Sequence, residues 1–125
     1  IVRSVSVRIG QDVKAGDDEI VTSVSFPVPK KAGYAKFPNP ASRLALVGVF
    51  VAQTGSGVRV AVTGAGPSVF RCKPHEDALA KTWSAAAAKA VRMDAAHLNS
   101  DLHGSAAYRA HLVSVMAARA VEAAG

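Results

Sequence analysis

The chain has 125 residues, half of them hydrophobic and 19% charged, with 15 Lys plus Arg against 9 Asp plus Glu for a net charge of +6, and a single cysteine. A chain of this length can bury roughly two thirds of the surface its unfolded form exposes, so residues 1–125 suit one domain without staples and are too few for two of ordinary size. No run approaches the roughly 18 to 20 apolar residues of a membrane-spanning helix, which excludes one, and Cys72 has neither a disulfide partner nor a second sulfur for a cysteine-based zinc site, so a reducing, cytoplasmic compartment is expected.

The chain opens at Ile1 without Met and runs straight into a strand-like pattern with no leader, so it reads as a piece of something longer. Val2 to Ile9 alternates, with Val5 and Val7 on one face and Ser4, Ser6 and Arg8 on the other, which predicts a half-buried strand. Gly10 to Asp18 is turn-rich, and Glu19 to Phe26 alternates again with Ile20, Val24 and Phe26 in phase until Pro27 and Pro29 end it. Lys30 to Arg43 carries Gly33, Pro38 and Pro40 and is predicted to be an irregular loop crossing the surface.

Leu44 to Ala52 and Val58 to Thr63 predict a hairpin closed at Thr54-Gly55-Ser56-Gly57, whose glycines allow the positive φ a tight turn needs. The first of these strands is apolar nearly throughout, which makes it central, with helices packed on one side. After Gly64-Ala65-Gly66-Pro67, a short strand from Ser68 to Cys72 leads to Pro74, where a helix starts with Glu76 and Asp77 in its first turn. That helix is predicted to run to about Val91 with Leu79, Trp83, Ala86 and Ala90 in a stripe, and a second from an N-cap at Ser105 to about Ala123. Strands first and helices after imply an α+β domain: an antiparallel sheet of three to four strands with a small helical group on one face.

No self-sufficient active site emerges, and no catalytic or metal-ligating residue is assigned. Gly64-Ala65-Gly66-Pro67 lacks the third glycine of a dinucleotide fingerprint, and Pro67 interrupts where a phosphate-binding helix would begin. His75, His97, His103 and His111 are not at the spacing that puts two ligands on one helix face, and there is no HExxH. Cys72, beside Lys73 and near His75, fits a packed strand end better than a nucleophile, and no GxSxG elbow presents a serine.

Two segments look specified beyond packing. In Gly33 to Arg43, Tyr34 and Lys36 stand two apart in extended chain, so both can point to one side, where an aromatic face and an ammonium would suit a planar, electron-rich ligand; the alternative is that Tyr34 and Phe37 cover a sheet edge. In Ser100 to Arg109, Asp101 can accept backbone N–H groups or pair with Arg109 ahead of the helix capped by Ser105, an arrangement that reads as a structural helix start.

At these segments the chain resembles a known family. Glu19-Ile20-Val21-Thr22 to Pro27, GYAKFPNPASRLALVGVFVA, VRVAVTGAG and SDLHGSAAYRAHLVSVMAARAV are similar, in order and spacing, to the C-terminal domain of the FAD-binding medium subunit of the carbon monoxide dehydrogenase and xanthine dehydrogenase (molybdenum hydroxylase) family. The resemblance runs from about Asp18 to Ala124, and Ile1 to Asp17 matches poorly. It implies an oxidoreductase in which a molybdopterin-containing large subunit oxidises the substrate, an iron-sulfur small subunit relays electrons, and FAD on the medium subunit passes them to an acceptor. It further implies that FAD is shared with N-terminal domains holding its pyrophosphate, that this piece alone is inactive and binds FAD poorly, and that Lys36 and Tyr34 lie near the flavin ring. Ala35 stands where relatives often have glutamate, Leu44 where an aromatic is frequent and Gly104 where alanine is usual.

The rival reading is a non-catalytic basic interaction module that docks a partner subunit or nucleic acid. Against nucleic acid, the basic residues are scattered singly apart from Lys30-Lys31.

Overall fold

This computed structural model describes residues 2–6, 16–17 and 19–125, which form β1 (Val2–Ser6), β2 (Ile20–Ser25), β3 (Lys31–Pro38), β4 (Ala45–Thr54), β5 (Gly57–Thr63), β6 (Phe70–Arg71), α1 (Lys73–Lys81), α2 (Ala85–Ala90) and α3 (Ala106–Ala124). β3 to β6 make an antiparallel sheet in chain order, so the expected α+β architecture is present. β1 and β2 pair in parallel as a separate two-stranded sheet. The expected extension of the first strand over Val7 to Ile9, and most of the turn from Gly10 to Asp18, lie outside the described residues.

β4 sits between β3 and β5, which explains its apolar composition: Leu46, Val47, Val49, Val51 and Ala52 are all buried. β5 alternates instead, burying Val58, Val60 and Val62 beneath the helices. Each such valine removed from water contributes roughly 1.5 to 3 kcal/mol. The hairpin between them closes as predicted, with Thr54 opposite Gly57 and Gly57 at φ +124. Thr54 Oγ1 donates to the Gly57 carbonyl at 2.9 Å.

The stretch predicted as a loop is largely the strand β3, paired with β4 from Lys31 opposite Gln53 to Phe37 opposite Val47. Its apparent breakers do not break it. Pro38 stands at the strand end, past a register shift, and Pro40 lies beyond it in the turn. Gly33 is required because α3 crosses directly above: a Cβ there would lie 2.0 Å from the Ala120 carbonyl oxygen and 2.9 Å from the Ala124 nitrogen. The strand predicted from Ser68 to Cys72 is shorter than expected, only Phe70 and Arg71.

The single helix predicted from Pro74 to Val91 is two. Thr82 and Ser84 are extended, and the Ser84 hydroxyl caps α2 by accepting from the Ala87 N–H at 3.1 Å. A serine offers the backbone this cap in place of helix continuation. The bend turns α2 onto α3, burying Ala88, whereas Ala86 and Ala90 of the predicted stripe are exposed and Trp83 is half-buried against the core. α3 begins after Ser105, whose hydroxyl accepts from the Tyr108 N–H at 3.2 Å, and lays Leu112, Val113, Met116, Ala117, Ala120 and Val121 on the sheet side.

α1 guards an edge of the sheet. Because β6 pairs only with Ala61 and Val62, the Val60 amide of β5 is left without a strand partner, and the Glu76 carboxylate accepts from it at 3.1 Å. The Cys72 N–H donates to the Val60 carbonyl at 2.9 Å. Unpaired edge groups are thereby satisfied by a helix and its side chain.

Close approach at Gly33 yields a test. Gly33→Val forces α3 off β3 and is expected to lower unfolding stability by about 3 kcal/mol or more in denaturant titrations. Gly55→Ala, where an added Cβ meets nothing within 4 Å, is the matched control and should change little.

Candidate functional site

The alternation of β3 sorts its side chains. Gly33, Ala35 and Phe37 turn toward α3, and Tyr34 and Lys36 turn to the opposite face of the sheet, side by side as expected but on a strand rather than a loop. Tyr34 is 49% exposed. Its ring folds over Gly48 of β4, since a Cβ there would lie 2.6 Å from Tyr34 Oη and 2.9 Å from Thr63 Cγ2 of β5. Lys36 stands directly opposite Gly48 in register. An aromatic ring and an ammonium therefore flank a position stripped of its side chain. Ala35 packs on the α3 side, away from this face.

Lys36 Nζ donates to the Arg43 carbonyl at 3.3 Å across the β3–β4 turn. That turn is organised by Asn39, whose Oδ1 accepts from the Ala41 N–H at 2.9 Å while its backbone carbonyl accepts from the Arg43 N–H at 2.8 Å. Arg43 adopts φ 60, a left-handed conformation for a non-glycine residue, which aims its carbonyl at the lysine side of the turn.

The second segment is a clamp. Arg109 is buried, and its Nη1 donates to the carbonyls of Leu46 at 2.9 Å and Gly64 at 3.0 Å. Its Nη2 donates to both carboxylate oxygens of Asp101, at 2.9 and 2.8 Å. Asp101 is held below the usual carboxyl range first by the His103 N–H and then by Arg109. Both roles weighed for Asp101 are thus realised at once, and both are structural. Tyr108, next to the clamp, meets Phe37 edge to face with ring centroids 6.5 Å apart, tying the end of β3 to the start of α3.

Gly64-Ala65-Gly66-Pro67 is a turn, not a phosphate cradle. Gly64 has φ +78, a Cβ there would meet the Ala45 carbonyl oxygen at 2.3 Å, and the Ala65 carbonyl is taken by the Asn99 N–H at 2.8 Å.

Sequence reasoning missed the role of Glu76, read there only as a helix-dipole acid. Burial pushes its carboxyl up, but Arg71, the Val60 N–H and Lys73 together bring it below the usual range. Arg71 grips it through Nε at 2.9 Å and Nη2 at 2.6 Å, and Lys73 Nζ lies 3.4 Å away. A five-residue separation across a strand–helix junction matches no helical or strand period, so no pattern announces the pair. Nearby, Cys72 Sγ lies 3.0 Å from His75 Nδ1. Burial pushes the Cys72 thiol up and His75 down to about 4, so the pair is neutral near pH 7 and the thiol is no activated nucleophile. Among the described residues no three of His, Cys, Asp and Glu gather as a metal site, and no helix is long and apolar enough to cross a membrane.

A four-stranded antiparallel sheet with a long helix across one face and an aromatic–cation pair on the other defines an α+β domain. Residues 32–124 match the family model of the CO dehydrogenase flavoprotein C-terminal domain, and the chain belongs to that family. Its fold is similar to that of a chain in reconstituted CO dehydrogenase from Oligotropha carboxidovorans, with a TM-score of 0.57 and 24% identity over 78% of this chain. The chain spans 38% of that longer one. No curated protein matches it.

Two expectations follow. His75 takes a proton below about 6.5 when unfolded but only below about 4 when folded. Stability complete above pH 6.5 should therefore fall as pH drops toward 4, by about 3 kcal/mol, and then level off; His75→Gln should flatten that window in pH-dependent urea unfolding. Arg109→Leu takes the donor from the buried Leu46 carbonyl and the part-buried Gly64 carbonyl and should cost about 3 kcal/mol. Asp101→Asn, which keeps an acceptor on an exposed side chain, should give a urea midpoint between that of Arg109→Leu and the parent.

Proposed function

We propose that this chain is the C-terminal domain of the FAD-binding medium subunit of a carbon monoxide dehydrogenase-like molybdenum hydroxylase. In this reading it is one domain of a longer subunit whose other domains hold most of the FAD, and molybdopterin and iron-sulfur clusters reside in partner subunits. Family membership supports the flavoprotein assignment. The observation that carries the residue assignment is the pairing of Tyr34 and Lys36 on one face of β3 over Gly48.

The residues present fit a planar ring. Gly48 lets the Tyr34 ring lie down on the sheet beside Lys36, where a Cβ would meet Tyr34 Oη at 2.6 Å, so the half-exposed aromatic ring and the ammonium are presented side by side. FAD bound there would supply two-electron redox chemistry. Tyr34 supplies apolar area and a hydroxyl at the margin of the ring. Lys36, now held by a single exposed hydrogen bond to the Arg43 carbonyl, would hold the ring by donating to one of its oxygens or by placing an ammonium beside negative charge on it. The β3 backbone that carries both is backed by α3 at Gly33, so the pair is presented from a rigid support.

The test uses the full-length subunit. Lys36→Ala should lower the flavin two-electron potential by about 30 mV or more, because the oxidised ring gains less from the ammonium than the reduced one does. Spectroelectrochemical titration reads it directly, and unchanged potential and FAD affinity would remove Lys36 from the ring.

A further inference from the structure

Soft donor atoms converge where α1 begins. Cys72 Sγ lies 3.0 Å from His75 Nδ1 and 3.9 Å from Met93 Sδ. The three residues come from the position preceding α1, its first turn and the segment after α2, so the grouping is a product of the fold. Cys72 and His75 are 2% and 0% exposed, and Met93 is half-buried. Cys72 and Met93 both line a cavity of about 440 Å³ whose other walls include Phe70, Pro74 and Leu98. His75 Nδ1 faces Cys72, while Nε2 is buried with no hydrogen-bond partner and the Ala88 backbone also acts on the ring.

Harder groups stand on the cavity walls and not at the pair: Arg71, His97 and Asp94, whose Oδ1 accepts from the Ala96 N–H at 3.0 Å, line the same cavity, and among the described residues no third His, Cys, Asp or Glu gathers with Cys72 and His75. Thiolate, imidazole and thioether together form a donor set that selects Cu(I) over zinc or harder cations. The spacing suits three-coordination. With metal–sulfur bonds of about 2.3 Å, two sulfurs on a trigonal ion stand about 4 Å apart, which the Cys72–Met93 separation already meets. Nδ1 has to back away from Sγ by about 0.7 Å to admit the ion.

We propose that Cys72, His75 and Met93 form a binding site for a soft monovalent cation, Cu(I), reached through the adjoining cavity. On binding, the Cys72 S–H bond breaks, its proton leaves to solvent and its electron pair forms the copper–sulfur bond. His75 Nδ1 and Met93 Sδ each donate a lone pair, and copper stays Cu(I) throughout. Thiolate and cation cancel, so the loaded site carries no net charge, which suits its burial.

Anaerobic titration of the 125-residue chain with Cu(I) against the chelator bathocuproine disulfonate tests this. One equivalent should be withdrawn from the chelator with release of one proton, and X-ray absorption should show two sulfurs and one nitrogen around copper. Cys72→Ser should abolish binding. Met93→Leu, which conserves volume, should weaken it at least about tenfold without moving the unfolding midpoint. Failure to compete with the chelator, a shell with a single sulfur, equal binding by Cys72→Ser, or undiminished binding by folded Met93→Leu would each overturn the site.

Discussion

Arg109 closes the fold where it would otherwise splay. The β4–β5 ladder ends at Gly48 opposite Thr63, and beyond it the chains separate toward Leu46 on one side and Gly64 on the other. A single guanidinium spans that gap by donating to both carbonyls, and its other nitrogen reaches the Asp101 loop. A buried cation is costly unless it is paired and hydrogen-bonded; here Nη1 and Nη2 are engaged while Nε is buried without a partner, so the Nη contacts narrowly determine its position. Since Arg109 sits in the first turn of α3, the same contacts set where the helix crosses the sheet.

The crossing of α3 in turn shapes the outward face. Two glycines in neighbouring strands serve opposite sides: Gly33 admits the helix backbone on the α3 face of β3, and Gly48 admits the Tyr34 ring on the other face of β4. Phe37 joins the two arrangements, since it faces α3 from the same strand that presents Tyr34 and Lys36 and meets Tyr108 beside the clamp. Far across the sheet, Glu76 does for the β5 edge what Arg109 does for the strand ends, supplying a charged side chain to backbone groups without a strand partner.

Much was legible from periodicity because periodicity is a local property. The β4–β5 hairpin, the Ser105 cap and the long apolar face of α3 each declare themselves within a window of a few residues. Tyr34 and Lys36 were legible as a same-side pair for the same reason, as alternation holds in any extended chain. β3 was not legible as a strand, because Gly33 and Pro38 look like breakers until α3 and the strand end account for them. The break between α1 and α2 was hidden in an alanine-rich run whose helix propensity is high on either side, and only Ser84 hinted at it.

The amino-acid sequence by itself determined the class of domain, the order of strands before helices and the two segments that mark its family, since composition, alternation and spacing need no knowledge of distant residues. Only the tertiary structure decided that the first of those segments is a strand over a glycine shelf, that the second is a clamp on two remote carbonyls, and that Cys72, His75 and Met93 meet. Each of those depends on residues brought together by packing, and contact between distant positions leaves no period in the chain.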